Sequence, residues 1–217
     1  SSGNVDFGSV DAQVGWVLNC DWKLGVGPLV DFRPARLPRW MILMGEDYHS
    51  ILQAACKHAE NTVKRYRNKA QIWNCAAGLN TPNSMHWSDE EVLRMAVAVI
   101  STVRQADSRT PVVLTIEQPW SEYLRDNANG ISPLHFADAL IRADLGLSGL
   151  ALELAMDVWP GGSFPRDLIE LSRLIDRWAM LGLPLLIHLS SPTRSADGRG
   201  DRVADWHVPV PDTRSKA

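Results

Sequence analysis

The sequence predicts an α/β fold built around a mostly parallel sheet. Segments whose apolar residues recur every three to four positions alternate with short, apolar, β-branched segments, as they do in parallel α/β folds. The composition, 45% hydrophobic and 22% charged, is that of an ordinary globular domain and excludes a disordered, collagen-like or coiled-coil chain. The length of 217 residues agrees with one domain, since roughly 100–200 residues per domain is usual.

Five helices are expected from local start and stop signals. Ser9 is the expected cap of the first helix, and the S-x-x-E motif that begins at Ser88 is a capping box for the third. Pro133 is expected in the first turn of the fourth helix, where its missing N–H costs nothing, and Gly182 is expected to end the fifth. The second and fifth helices are expected over residues 47–67 and 165–181.

Five short strands are expected between the helices, each followed by a loop. They span residues 26–30, 70–76, 111–116, 147–154 and 183–189. Polar and tryptophan-containing loops after strands suit a (β/α) barrel, whose functional sites lie at the carboxyl ends of the strands. Five strands do not close an eight-stranded barrel of typically ~250 residues, so the barrel would be partial. An open, doubly wound sheet is the alternative, although no glycine-rich nucleotide-binding motif follows any strand.

Charge and motif content exclude several classes of partner. The formal net charge is −3, from 22 basic and 25 acidic residues, which argues against a general nucleic-acid surface. The longest apolar run, residues 181–189, is shorter than the ~20 residues that cross a bilayer, so no membrane partner is expected. Neither the three cysteines nor the histidines have metal-ligand spacing, and no metal or cofactor is expected. No signal peptide is visible, so the sequence does not indicate a location.

Four segments carry motifs of a known family. They are Gly3–Phe7 with Asp11, Leu37–Trp40, His58–Trp73 (HAENTVKRYRNKAQIW) and Leu174–Ile187 (LIDRWAMLGLPLLI). In this order and spacing they resemble elements of family 10 glycoside hydrolases, the xylanase family.

The resemblance implies a (β/α)8 TIM-barrel type of fold, present from the second helix to the seventh strand, with the first two strands and the eighth missing. Two regions are expected on this basis. Residues 1–191 would form a barrel region like that of family 10 glycoside hydrolases, and residues 192–217 would form an irregular C-terminal tail.

The family's catalytic carboxylates are absent from their motif positions. The resemblance places the acid/base residue at Gly78 and the nucleophile at Leu189. Retaining glycosidases need two carboxyl groups about 5–5.5 Å apart, which glycine and leucine cannot supply. If the chain is active, the resemblance implies an O-glycosyl hydrolase acting on a xylan-type polysaccharide. The alternative is a catalytically inactive barrel that binds glycans or serves as a scaffold.

Glu117 and Glu153 are the candidate catalytic residues that could replace the missing pair. Each stands at the carboxyl end of a predicted strand, and the two strands would be neighbours. Since adjacent strands lie about 4.8 Å apart, the two carboxyl groups could approach each other closely. The alternatives are that both carboxylates form ion pairs with arginine or lysine in the barrel mouth, or that they bind a ligand without catalysis.

Tryptophan is unusually frequent, with nine residues against three Tyr and four Phe. Tryptophans that follow or end strands are expected either to stack on a sugar ring or to fill the core. His188, on the last predicted strand, is either an inward-pointing donor or a buried core residue. The expected substrate-binding residues are Trp40, Trp73, Asn74, Trp120, Trp159 and His188.

The resemblance implies a polysaccharide or oligosaccharide as the partner. An incomplete barrel would expose sheet edges, which are templates for pairing, so self-association is also expected. Arg33, Arg36 and Arg39 form a basic cluster that is interpreted as a solvated, salt-bridging loop. Contact of this cluster with an acidic sugar or a phosphate is the alternative.

Overall fold

The structure, a computed structural model, describes residues 6–33, 36–37, 41–42, 47–82, 85–125, 130–156, 162–164 and 166–190. The strands are β1 (Leu24–Val26), β2 (Val30–Asp31), β3 (Ala70–Asn74), β4 (Ala76–Ala77), β5 (Val112–Glu117), β6 (Gly149–Ala155) and β7 (Leu185–Ser190). The helices are α1 (Gly8–Asn19), α2 (Tyr48–Tyr66), α3 (Asp89–Ala106), α4 (Pro133–Arg142) and α5 (Leu168–Ala179), with a 3-10 turn over Glu122–Arg125. None of the described helices is long and apolar enough to cross a membrane.

The order of strands in the main sheet follows their order in the chain without reversing. Strands β1, β3, β5, β6 and β7 form a parallel sheet in that order, so each new strand joins the same growing edge. A doubly wound sheet would instead reverse its strand order at one point. The monotonic order, with helices between successive strands, is that of a partial (β/α) barrel, and the predicted fold class is confirmed.

The predicted strand over residues 26–30 is interrupted. Gly27 has a φ of 141°, and the following Pro28 has no N–H to donate, so the ladder of β1 breaks there. Pairing resumes with β2, which lies parallel to β4 and continues the same edge beyond the break. A Cβ on Gly27 would lie 2.3 Å from the carbonyl oxygen of Asn74, so the two chains pass too closely for any side chain.

Helix boundaries follow the capping chemistry, with one exception. Ser88 and Glu91 form the predicted reciprocal capping box at the start of α3, and Ser132 caps α4 with Pro133 in its first turn. The predicted cap at Ser9 is wrong, because α1 begins at Gly8 after Phe7 and has no side-chain cap.

The residues of the strands become less buried from β5 to the edge strand β7. All six residues of β5 are buried, because β3 and β6 flank this strand and helices cover it. In β7 no residue is buried, and the side chain of Leu189 is 66% exposed. The largest fully buried side chains are Trp73, Trp178, Tyr66, Phe32, Phe136, Ile51, Leu79, Met95, Ile100, Leu114, Ile116 and Leu140.

Candidate functional site

Three ionisable side chains stand in one row at the carboxyl ends of the strands. Glu117 of β5 pairs in register with Glu153 of β6, and Glu153 pairs in register with His188 of β7. Because the carboxyl ends of parallel strands meet at one edge, this row lies where (β/α) barrels carry their sites. We call this edge the mouth of the sheet. The prediction that Glu117 and Glu153 occupy neighbouring strands agrees with this pairing.

Glu117 is held in place through both its side chain and its backbone. One carboxyl oxygen, Oε1, accepts a hydrogen bond of 2.7 Å from the backbone N–H of Gly78. The side-chain amide of Asn80 donates to the carbonyl oxygen of Glu117 and accepts from its N–H, at 2.8 and 3.0 Å. The second carboxyl oxygen, Oε2, is buried and has no hydrogen-bond partner in the described part of the chain.

The environment of Glu117 favours the neutral carboxylic acid. The residue is only 3% exposed, and burial together with the charge of Glu153 raises its pKa to about 8. The nearby Arg33 guanidinium and the Gly78 N–H oppose this shift without cancelling it. Glu117 is therefore protonated at neutral pH, and its proton is on a group that solvent hardly reaches.

Glu153 is bound by an arginine. Nη1 of Arg33 donates to both carboxyl oxygens of Glu153, at 3.2 and 3.0 Å, while Nε of Arg33 donates to Oδ1 of Asp31 at 2.8 Å. The side chains of Arg33 and Glu153 are each only 12% exposed. Burial raises the pKa of Glu153, and the Arg33 charge acts against that rise. One guanidinium thus joins the end of β2 to the end of β6.

The position of Gly78 has no space for a side chain. Its φ is 74°, in the left-handed region, and a Cβ built there would lie 2.5 Å from the backbone nitrogen of Arg33. This is the position at which the family resemblance places the acid/base carboxylate. At the other motif position, Leu189 lies exposed on β7 and pairs with Leu154 of β6.

Two of the predicted substrate-binding residues, Trp73 and Asn74, are directed into the protein. Trp73 has no exposed surface, and its indole N–H donates to Oδ2 of Asp107 at 3.0 Å. Trp73 is therefore a core residue, and the expectation that it stacks on a sugar is wrong. The neighbouring Asn74 is half-buried and donates to Oγ1 of Thr115 at 2.7 Å.

The remaining predicted substrate-binding residues differ in how accessible they are. Trp120 is half-buried, and the guanidinium carbon of Arg166 lies 5.6 Å from the centre of its ring. His188 is exposed on β7. Trp40 and Trp159 lie outside the described residues.

The central role of Arg33 and the role of Asn80 were not predicted from the sequence. Arg33 was interpreted as part of a solvated loop, yet its side chain is largely buried between two carboxylates. Its position two residues after Asp31, at the end of a strand, was the available signal. Asn80 lies three residues after β4 in a loop, and nothing in the sequence linked it to β5.

Metal binding and thiol chemistry find no support in the described residues. They contain no group of three or more His, Cys, Asp or Glu side chains arranged to hold a metal ion. Cys75 is fully buried, and burial raises the pKa of its thiol far above the ordinary value. Its thiolate is therefore not formed at neutral pH.

Comparison with solved structures identifies the fold. A GH10 xylanase from Thermobacillus composti matches at a TM-score of 0.67 and 17% identity, covering 92% of this chain and 58% of that one. Xylanase 10B from Thermotoga maritima matches at 0.68 and 13%, covering 91% and 60%. Xylanase 10B from Thermotoga petrophila, solved with xylobiose, matches at 0.69 and 14%, covering 91% and 59%.

These matches rest on structural similarity and not on sequence similarity. The comparisons with family models and with curated proteins found no match to the sequence. The chain spans about 60% of the length of the xylanases it matches. It therefore has the fold of part of a GH10 xylanase barrel, at 13–17% sequence identity to those enzymes.

Proposed function

We propose that this protein binds a xylan-type oligosaccharide at the mouth of its sheet without hydrolysing it. Binding is supported by the fold, which resembles that of a xylanase solved with xylobiose. It is also supported by the polar groups at the mouth, among which His188 is exposed. Sites for small polar ligands commonly place a few such groups at one concave edge.

The observation that carries the absence of hydrolysis is the geometry of Gly78. A glycosidase acid at this position would need a side chain that projects into the mouth. Here the Cβ of any such side chain would overlap the backbone of Arg33, and the φ of 74° disfavours every residue except glycine. The main chain at Gly78 also serves a different purpose, since its N–H donates to Glu117.

The carboxyl groups of Glu117 and Glu153 are already bound by other parts of the protein, which supports the same proposal. A general acid must reach the leaving oxygen, and a nucleophile must reach the anomeric carbon. Glu117 is 3% exposed and anchored by Gly78, whereas Glu153 is held by Arg33 through both oxygens. In this arrangement the two carboxyl groups stabilise the mouth, and substrate has little access to them.

The test is a parallel measurement of binding and turnover. Xylohexaose should bind the purified chain in isothermal titration calorimetry, while neither xylan nor an aryl β-xylobioside should be hydrolysed. His188→Ala should weaken binding by about fivefold, as expected when one hydrogen bond of about 1 kcal/mol is lost. His135→Ala, at an exposed position on α4, is the matched control and should bind like the unchanged protein. No heat of binding at millimolar ligand would refute the proposal.

A second candidate function is hydrolysis by Glu117 and Glu153. It is favoured by the pKa of about 8 of Glu117, which places a protonated carboxyl in register with a second carboxylate. Turnover of xylan that is lost by 10²-fold or more in both Glu117→Gln and Glu153→Gln would establish this function in place of binding alone.

A further inference from the structure

A cavity lies outside the mouth, between the loop after β5 and helix α5. Its volume is about 200 Å³, and it is lined by Trp120, Glu170, Arg173, Leu174 and Arg177. None of these residues belongs to the carboxylate and arginine network of the mouth. The cavity is smaller than the roughly 300–1,000 Å³ of a pocket for a drug-sized ligand, so it suits a single ring.

The aromatic wall of this cavity is held in place. Trp120 packs against the hydrophobic core on one side, and the guanidinium of Arg166 lies 5.6 Å from its ring centre. Arg166 is itself positioned by the buried Glu122 at 3.6 Å and by Glu170 at 3.9 Å. The carboxylate of Glu170 is thereby directed toward Arg166. The indole is therefore fixed, and only the part of it that neither the core nor Arg166 covers is exposed to a ligand.

The opposite wall carries two like charges on one helical face. Arg173 and Arg177 are four residues apart on α5 and both exposed, and neither has an ion-pair partner within 4.0 Å among the residues that the structure describes. Like charges at this spacing destabilise a helix. Arg177 stands in the last turn, where the helix dipole favours a cation, but Arg173 stands in mid-helix and has no such benefit. An anion between the two guanidinium groups would relieve the repulsion.

We propose that this cavity binds a sugar residue that carries a carboxylate, such as a uronic acid side group of a polysaccharide. The apolar face of the sugar ring would contact the indole of Trp120, and its carboxylate would accept hydrogen bonds from Arg173 and Arg177. Guanidinium groups bind carboxylates through paired, charge-assisted hydrogen bonds, which neutral sugars cannot accept in the same way. The inference rests on the proposed function, because it assigns the acidic branch to this cavity and the neutral chain to the mouth.

The test compares two ligands that differ only in the acidic group. A xylo-oligosaccharide that bears one glucuronic acid should bind about tenfold more tightly than the same oligosaccharide without it, as one charge-assisted contact predicts. Raising the salt concentration should reduce this difference. The double variant Arg173→Gln/Arg177→Gln should bind both ligands equally, and its affinity for the neutral ligand should be unchanged.

A matched control and a separate probe make the outcomes distinguishable. Arg94→Gln/Arg142→Gln removes two exposed arginines from other helices and should keep the tenfold preference. Equal affinity for both ligands in the unchanged protein, or a preference that persists in the Arg173/Arg177 variant, would overturn the inference while leaving the proposed function intact. Failure to bind the neutral ligand would count against the proposed function alone, and free glucuronate would then test the cavity by itself. Inorganic phosphate that binds as tightly as glucuronate would also overturn the assignment to an acidic sugar.

Discussion

Glu117 and Glu153 stand opposite each other in register on adjacent parallel strands, yet different groups hold their two carboxyls. A backbone N–H from Gly78 holds the first, and the guanidinium of Arg33 holds the second. Two neighbouring carboxylates in a low-dielectric site cannot both ionise readily, and the protein places the proton on the more buried one. The sheet edge therefore contains a neutral acid beside an ion pair.

Loss of Arg33 should weaken the fold more than loss of an exposed ion pair. Arg33→Gln leaves Asp31 and Glu153 without their cation at sites of low exposure, and we expect a loss of about 3 kcal/mol in the free energy of unfolding. Arg142→Gln breaks an exposed pair with Asp138 on α4 and should cost less than about 1 kcal/mol. Urea denaturation of both variants measures the difference, and equal effects would contradict the structural role of Arg33.

Replacement of Gly78 should be far more damaging than replacement of a glycine with the same backbone angle. Gly78→Ala brings a Cβ against the backbone of Arg33, and we expect a loss of about 3 kcal/mol. Gly182 has a φ of 76°, but a Cβ there would meet no atom within 4 Å, so Gly182→Ala should cost about 1 kcal/mol. Thermal unfolding of both variants measures the two losses of stability, and equal losses would contradict the prediction.

The same geometry makes a prediction about restoring catalysis. Gly78→Glu should not produce a xylanase, because the backbone at this position must move before it can carry a side chain. Assays on xylan should detect no turnover, and circular dichroism should show a loss of structure. A folded, active Gly78→Glu variant would show that the mouth can accept an acid at this position.

The stability of the protein should depend on pH through Glu117. Its pKa is about 8 in the folded state and near 4.5 when the chain is unfolded, so between these values only the folded state holds the proton. The stabilising contribution is complete below pH 4.5 and is lost as pH rises through 8, by up to about 1.4 kcal/mol per pH unit. Glu117→Gln should remove this slope in urea titrations from pH 5 to 8. Glu90→Gln, at an exposed carboxyl on α3, should leave the slope unchanged.

Trp73 should contribute to stability and not to ligand binding. Trp73→Phe removes buried ring surface and the hydrogen bond to Asp107, so we expect a loss of about 2 kcal/mol with unchanged affinity for xylohexaose. Trp22, which is 59% exposed, provides the control, since Trp22→Phe should alter stability by no more than about 0.5 kcal/mol. Weakened xylohexaose binding in Trp73→Phe would place the residue in the binding site after all.

Local signals in the sequence were sufficient to predict most of the elements. The capping box at Ser88 and the proline in the first turn of α4 are short-range features, and the structure confirms both. The alternating periodicity predicted an α/β fold and left an open, doubly wound sheet as the alternative, whereas the resemblance to family 10 glycoside hydrolases implied the partial barrel. The break at Gly27 was missed although Pro28, which has no N–H to donate, was a local signal for it, whereas the close approach of Asn74, which is distant in the sequence, gave no signal.

The candidate site was predictable only in part. The neighbouring positions of Glu117 and Glu153 followed from strand order, since both residues lie at or near the carboxyl ends of consecutive strands. Their partners did not follow, because Arg33 reaches Glu153 across 120 positions of sequence and Asn80 reaches the Glu117 backbone across 37. The burial of Trp73 likewise depends on which way the side chain of a strand residue points, and a shift of one residue along a strand reverses that direction.

The fall in burial from β5 to β7 has a consequence for local opening. Amide hydrogens exchange with solvent through fluctuations whose free energy depends on how many packed neighbours must separate. In β5 every residue is buried and two strands flank it, whereas β7 pairs only with β6 in the described part of the chain and buries no residue. Deuterium should therefore enter β7 first and β5 last, and the sheet should open from the strand that carries His188 toward the strand that carries Glu117.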